Sequence, residues 1–188
     1  MKSGKLTAIL IMIVLVVVSL GIGAHKGWSG EKEMLESAYK SYMDAFTQIK
    51  ETSVNTLTVA SRHLSSENTQ VKALSGLILE CAREGSQRQI VDRYHALITA
   101  TKSLFTTLKS TSSLQKDERD SMYVNALLPQ SLDYCINLVV EHEYNDLAKE
   151  YNKARNTNFV SSFFASLLGV SKPEIIPVES LLLGEGSV

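Results

Sequence analysis

Two pairs of residues have the types and spacing to hold a metal ion. Asp92 and His95 are three apart, and His142 and Asp146 are four apart, so on helices each pair shares a face. Imidazole with carboxylate suits a transition metal held between helices. A carboxylate-bridged di-metal bundle, however, needs Glu-x-x-His on two helices and further inward glutamates, and neither pair has that form. Glu141-His142-Glu143 fits a solvated helix face. Cys81 and Cys135 sit among apolar neighbours at a spacing that does not suit zinc. They read as small buried hydrophobes, and in an exported domain they could form one interhelical disulfide. Arg83, Arg88 and Arg93 lie five apart and do not align into an anion clamp. The chain has no Gly-rich phosphate loop, no Gly-x-Ser-x-Gly elbow and no Cys/His nucleophile arrangement. The expectation is a protein that is not an enzyme and needs no metal or cofactor. A net charge of −1 leaves no basic surplus for phosphates, which argues against nucleic acid as a partner.

The elements carrying these residues begin with an uncharged apolar run, Leu6 to Gly23. At about 1.5 Å per helical residue it is long enough to cross the hydrocarbon core of a bilayer. Leu6, Ile9, Leu10, Ile13, Val17 and Leu20 would face lipid, and Trp28 is placed for the headgroup region. A cleaved signal peptide is the rival, since Gly21 and Gly23 are small enough for a cleavage site. The run outlasts the usual signal h-region, which favours an uncleaved single-pass anchor. Lys2, Lys5 and the α-amino group before the run outnumber Lys26 and Lys32 after it. The positive-inside rule then places the large domain on the extracytoplasmic side of a bacterial cell membrane.

The remaining chain is patterned for long helices. Tyr39, Tyr42, Phe46, Ile49, Ser53, Leu57, Ala60 and Leu64 make one stripe over residues 31–64. Asn68 is placed to cap a second segment, 69–109, whose two stripes fall out of phase and predict a break or bend near Gly85. Ser112 with Gln115 predicts a capping box ahead of a third segment, 114–156, in which Pro129 forces a kink or a fresh start. Phe159, Val160, Phe163, Phe164, Leu167 and Leu168 share one half of a short amphipathic helix, opposite Ser161, Ser162 and Ser166. This face must bury against the bundle, a partner or the bilayer surface. Its polar side has no Lys or Arg, which favours core packing over lipid. Pro173 and Pro177 end helix formation, leaving an extended or disordered tail with an apolar Leu181–Leu183.

The expected fold is therefore all-α: an N-terminal transmembrane helix, then an elongated antiparallel bundle of three long helices plus a short fourth. The expected boundaries are an anchor at 1–28, a bundle at 29–170 and a tail at 171–188.

One pattern is more specific. Tyr144-Asn145 and Tyr151-Asn152 repeat seven residues apart within EYNDLAKEYNKA, which puts both tyrosines on one side of a helix. With the following FVSSFFASLLGV and Lys172-Pro173, this stretch resembles the C-terminal signature of the LemA family. Tyr144, Asn145, Tyr151, Asn152, Phe159, Ala165, Leu167 and Gly169 match in order. The double-Arg motif usual in that family's first long helix is missing, Val160 replaces a proline, and Leu168 and Val170 replace aromatics. The chain thus resembles a divergent member. The resemblance implies a membrane-tethered helical bundle without established enzymatic activity, working in envelope or membrane organisation. One branch of that family helps shape magnetosome membranes. It also implies a membrane protease as a plausible neighbour, and a short outside N-terminus, opposite to the charge count.

The expected function is a scaffold or adaptor acting through helix faces, self-associating or bound to a membrane protein. The Tyr-Asn pairs and a docking face of Phe159, Phe163, Phe164, Leu167 and Leu168 are its expected working residues. The alternative is an extracytoplasmic ligand-binding or sensory domain of four-helix type.

Overall fold

In the computed structural model, residues 2–157, 159–167, 172–178 and 181 are described, with the backbone alone at 2–10, 24–25, 159–161 and 164. Among them every regular element is helical. Helix α1, Lys2–His63, carries the apolar run and the first stripe without interruption. α2 (Thr69–Glu80) and α3 (Gln87–Lys109) follow. Two short pieces come next, α4 (Ser112–Gln115) and α5 (Glu118–Met122). A π turn, Tyr123–Leu127, leads into α6 (Leu128–Val140), and α7 (Tyr144–Asn156) and α8 (Phe159–Leu167) complete the set.

Local chemistry explains most of these boundaries. The Asn68 side chain accepts from the Gln70 and Val71 amides and starts α2, as its sequence position predicts. Asn68→Ala should lower thermal stability by about 1 kcal/mol, measured by circular dichroism of the full chain in detergent. An unchanged melting curve would show that α2 contributes nothing to the cooperative unit. The expected break near Gly85 is present. α2 ends at Glu80, and Ser86 and Gln89 form a capping box that opens α3. A Cβ added at Gly85 would come within 2.9 Å of Arg93 Nη2 and Gln89 Oε1, the far ends of two flexible side chains that would have to shift.

Two expectations are corrected. Thr111, not Ser112, is the N-cap of α4 and makes no side-chain cap bond. Gln115 instead donates to the Lys109 carbonyl. The third segment is also not one helix. Asp117 caps α5 by accepting from the Asp120 amide, which splits the segment near its start. A second break falls at Glu141–Glu143, between inner residues Val139 and Tyr144. They lie five positions apart, each buried in its own unit. Pro129 sits in the first turn of α6. The π turn before it closes with the Leu128 amide on the Tyr123 carbonyl, a five-residue span that widens the helix ahead of the proline.

The described chain divides into two compact units. One combines residues 1–39 with 143–175, the other 40–142 with 176–188. The core of the second gathers Tyr42, Phe46 and Ile49 from α1 with Leu74 of α2, Leu97 and Leu104 of α3, and Leu132 of α6, all fully buried. Thr52, Ser53, Thr56 and Thr101 are buried with them. Each of these four hydroxyls bonds a carbonyl four residues earlier. Thr101 Oγ1 also lies 2.9 Å from Ser53 Oγ, and Thr52 Oγ1 lies 3.2 Å from Ser131 Oγ. Small satisfied hydroxyls let helices approach closely without orphaned polar groups. In the tail, Lys172–Pro177 is not helical, and Ile176, Val178 and Leu181 are buried in the second unit. Leu182 and Leu183 lie outside the described residues.

Candidate functional site

The metal pairs read from sequence do not converge. Asp92 is exposed and His95 half-buried on α3. The break at Glu141–Glu143 lies between His142 and Asp146, so helical spacing does not hold there. The His142 ring packs edge-on to Tyr42 at 5.3 Å, and Asp146 pairs with Lys149 at 3.1 Å. Cys81 is half-buried and Cys135 buried, both as free thiols. Burial pushes the Cys81 thiol up to about 11 despite the nearby charges of Arg93 and Lys50. Neither is an activated nucleophile. Arg93 is occupied in closing the end of α2, donating to the Arg83 carbonyl at 2.6 Å and the Glu84 carbonyl at 3.3 Å.

A cluster that sequence reading missed lies at the end of α1. The Asp120 side chain is 2% exposed and receives Arg62 Nη1 on both carboxylate oxygens, at 3.0 and 3.1 Å. His63 Nε2 lies 3.0 Å from Oδ2. Burial by itself would raise the Asp120 carboxyl, but hydrogen bonds from His63 and Arg62 and the guanidinium charge outweigh it and hold it below its ordinary value. His63, Asp117 and Asp120 bring three ligand-type atoms within 4.8 Å of one another. Asp120 already accepts from Arg62 and lies against His63 Nε2, and Asp117 Oδ1 accepts from the Asp120 amide. The arrangement is a latch that ties α5 to the last turn of α1.

The Tyr-Asn repeat lies in the first unit, on α7. Tyr144 packs on Tyr39 with ring centroids 5.5 Å apart, and Tyr151 meets Trp28 edge-on at 5.4 Å. The later α7 residue thus meets the earlier α1 residue, so the two helices run antiparallel. Tyr144 OH donates to the Glu174 carbonyl at 3.1 Å, and Asn152 Nδ2 donates to the Pro173 carbonyl at 3.3 Å. The repeat therefore clamps α1 on one side and the segment after α8 on the other. Burial raises both tyrosine hydroxyls above their ordinary value. Asn145 is half-buried. A groove of about 350 Å³ runs between Glu31, Met34 and Leu35 of α1 and Leu147, Glu150, Tyr151 and Ala154 of α7.

On α8, Ala165 is buried, whereas Phe163 is 51% and Leu167 67% exposed. Phe163 and Leu167, both of the apolar face, are thus not packed into a core, and buried Ala165 lies on another side of the helix. The side chains of Phe159 and Phe164, and Leu168 and Gly169 altogether, lie outside the described residues. In α1, Ile13, Val17 and Leu20 are each about half exposed, as are their apolar neighbours. The side chains of Leu6, Ile9 and Leu10 are not described. The most apolar 18-residue window of α1 has a mean hydropathy of 1.8, and none of it is buried.

These residues define an all-helical protein with one N-terminal helix long and apolar enough to cross a membrane. Comparison of the chain with family models, curated proteins and solved structures gives no match.

Proposed function

We propose that the chain is a single-pass membrane protein that acts by binding, as a scaffold or adaptor in membrane organisation, in the manner of the LemA family it resembles. The observation that carries this reading is the uncovered apolar run of α1. Ten large apolar side chains between Ile11 and Ile22 are each about half exposed or more. Removing them from water is worth on the order of 10 kcal/mol, and a bilayer supplies the missing cover. The rest of the molecule supports binding over catalysis. Its titratable clusters are engaged in a latch and in helix capping, and the motif tyrosines serve as packing clamps. Anchored copies on one surface gain avidity, so weak helix-face contacts suffice. Self-association or a membrane-protein partner, such as a protease, fits this mode. The fewer charges after the span favour an extracytoplasmic bundle, and the family resemblance favours the cytoplasm.

The test is alkaline washing of membranes that contain the full chain. Full-length protein should stay in the pellet, and a chain lacking residues 6–23 should be released. Two differently tagged full-length copies should co-purify in nanodiscs from membranes expressing both. Release of the intact chain by alkali would sink the anchor, and strictly monomeric nanodiscs would sink self-association.

A further inference from the structure

In the first unit the end of α7, which α8 contacts, lies near the end of the apolar run of α1. Antiparallel pairing puts Tyr144 at Tyr39 and Tyr151 at Trp28. Past Tyr151, α7 continues five residues to Asn156, roughly 7.5 Å by helical rise. The same distance back along α1 from Trp28 reaches Gly23, where the apolar run ends. α8 begins three residues beyond Asn156.

Charge follows the same division. The sequence has no Asp or Glu in residues 1–30 or 151–173. On the membrane side of the Trp28–Tyr151 pair lie Lys26, Lys153 and Arg155, with Lys26 and Lys153 each two residues beyond it. The Asn152 bond to the Pro173 carbonyl holds Lys172 at that level too. Lys26, Lys153 and Lys172 are exposed. Glu31, Glu33 and Glu36 of α1 and Asp146 and Glu150 of α7 all lie on the other side. Such a cationic collar beside an apolar span matches an anionic headgroup layer. The cations missing from the polar face of α8 are supplied by its neighbours.

We propose that α8 is a second membrane contact. It lies in the interface of the bilayer that α1 spans, with Phe163 and Leu167 in the acyl boundary and Lys26, Lys153, Arg155 and Lys172 at the phosphates. This rests on the anchor reading and adds to it a specific lipid-facing surface of anionic preference.

The test uses the full chain with Trp28→Phe, so that one introduced tryptophan reports alone. The protein is reconstituted in phosphatidylcholine–phosphatidylglycerol vesicles brominated high on the acyl chains. With Phe163→Trp, emission should shift blue and be mostly quenched. With Ser37→Trp, about 22 Å along α1 from Ile22 by helical rise, it should be unquenched. Adding Lys153→Glu and Lys172→Glu should weaken quenching of Phe163→Trp, as should omitting phosphatidylglycerol. If Ile22→Trp, at the interface end of the apolar run, is quenched while Phe163→Trp is not, the interfacial helix is overturned and the anchor stands. A blue-shifted but unquenched Phe163→Trp would mean cover by a second copy of the chain, and overturns it equally. If Ile22→Trp is unquenched as well, the anchor fails and the inference falls with it.

Discussion

Phe46→Ala should destabilise the second unit by about 4 kcal/mol. Phe46 is fully buried, and its ring meets Tyr42 edge-on at 5.0 Å and Tyr94 at 4.6 Å. Truncation removes the transfer energy of the benzyl group and leaves a cavity. It also breaks two aromatic contacts worth about 0.5–1.5 kcal/mol each, a gain included in the total. The surroundings are poorly able to collapse, because Ile49 and Leu97 beside this layer are themselves fully buried. Phe46→Leu keeps most of the volume and should cost about 1.5 kcal/mol. Urea unfolding of the full chain in detergent, followed at 222 nm, measures both. Trp28 is the chain's single tryptophan and lies in the first unit, so its emission reports that unit separately. A loss below about 1 kcal/mol for Phe46→Ala would contradict a packed aromatic layer.

The second large effect belongs to Asp120. Its carboxyl is held below the ordinary value of 3.8 in the folded protein. Above that value the carboxyl is ionised in both the folded and the unfolded chain, and its full stabilisation is present. As pH falls below it, the unfolded chain takes up the proton first, and stability declines until the folded carboxyl is protonated too. Asp120→Asn should therefore flatten the acid limb of the stability profile below pH 3.8. At neutral pH it should cost about 2 kcal/mol. That figure sits below the usual penalty for a broken buried pair, because Arg62 is 52% exposed and can return to water. Urea midpoints taken from pH 7 down to pH 3 would give both quantities. A variant that keeps the wild-type acid slope would show that Asp120 is not the group responsible.

What the sequence disclosed follows from the range of each interaction. Asn68, Gly85 and Pro129 act on their own few neighbours, and each marks its boundary. The break at Glu141–Glu143 carries no glycine or proline and no side-chain cap at Glu143, so no local pattern announces it. The Ser53–Thr101 bond and the Arg62–Asp120 latch join residues 48 and 58 positions apart, and no local pattern signals either. In the candidate site, the seven-residue spacing of Tyr144 and Tyr151 was legible. Their partners Trp28, Tyr39 and Glu174 were not, because those come from distant stretches of chain.

The first unit is assembled from two separated stretches of this chain, residues 1–39 and 143–175. This fixes an order of events during synthesis. The apolar run leaves the ribosome before α7, so the tyrosine clamp does not yet exist when it emerges. The contiguous stretch 40–142 can then collapse on contacts made within itself. Tyr39 must wait for Tyr144 and Trp28 for Tyr151, so the ring pairs of the first unit form late. Closing so long a loop is entropically costly unless the intervening residues are already compact. A nascent or truncated chain ending before residue 143 would hold the apolar run and the middle of the protein but leave Tyr39 without Tyr144 and Trp28 without Tyr151. Such a chain is the species most in need of a chaperone, or most open to proteolysis, during biogenesis.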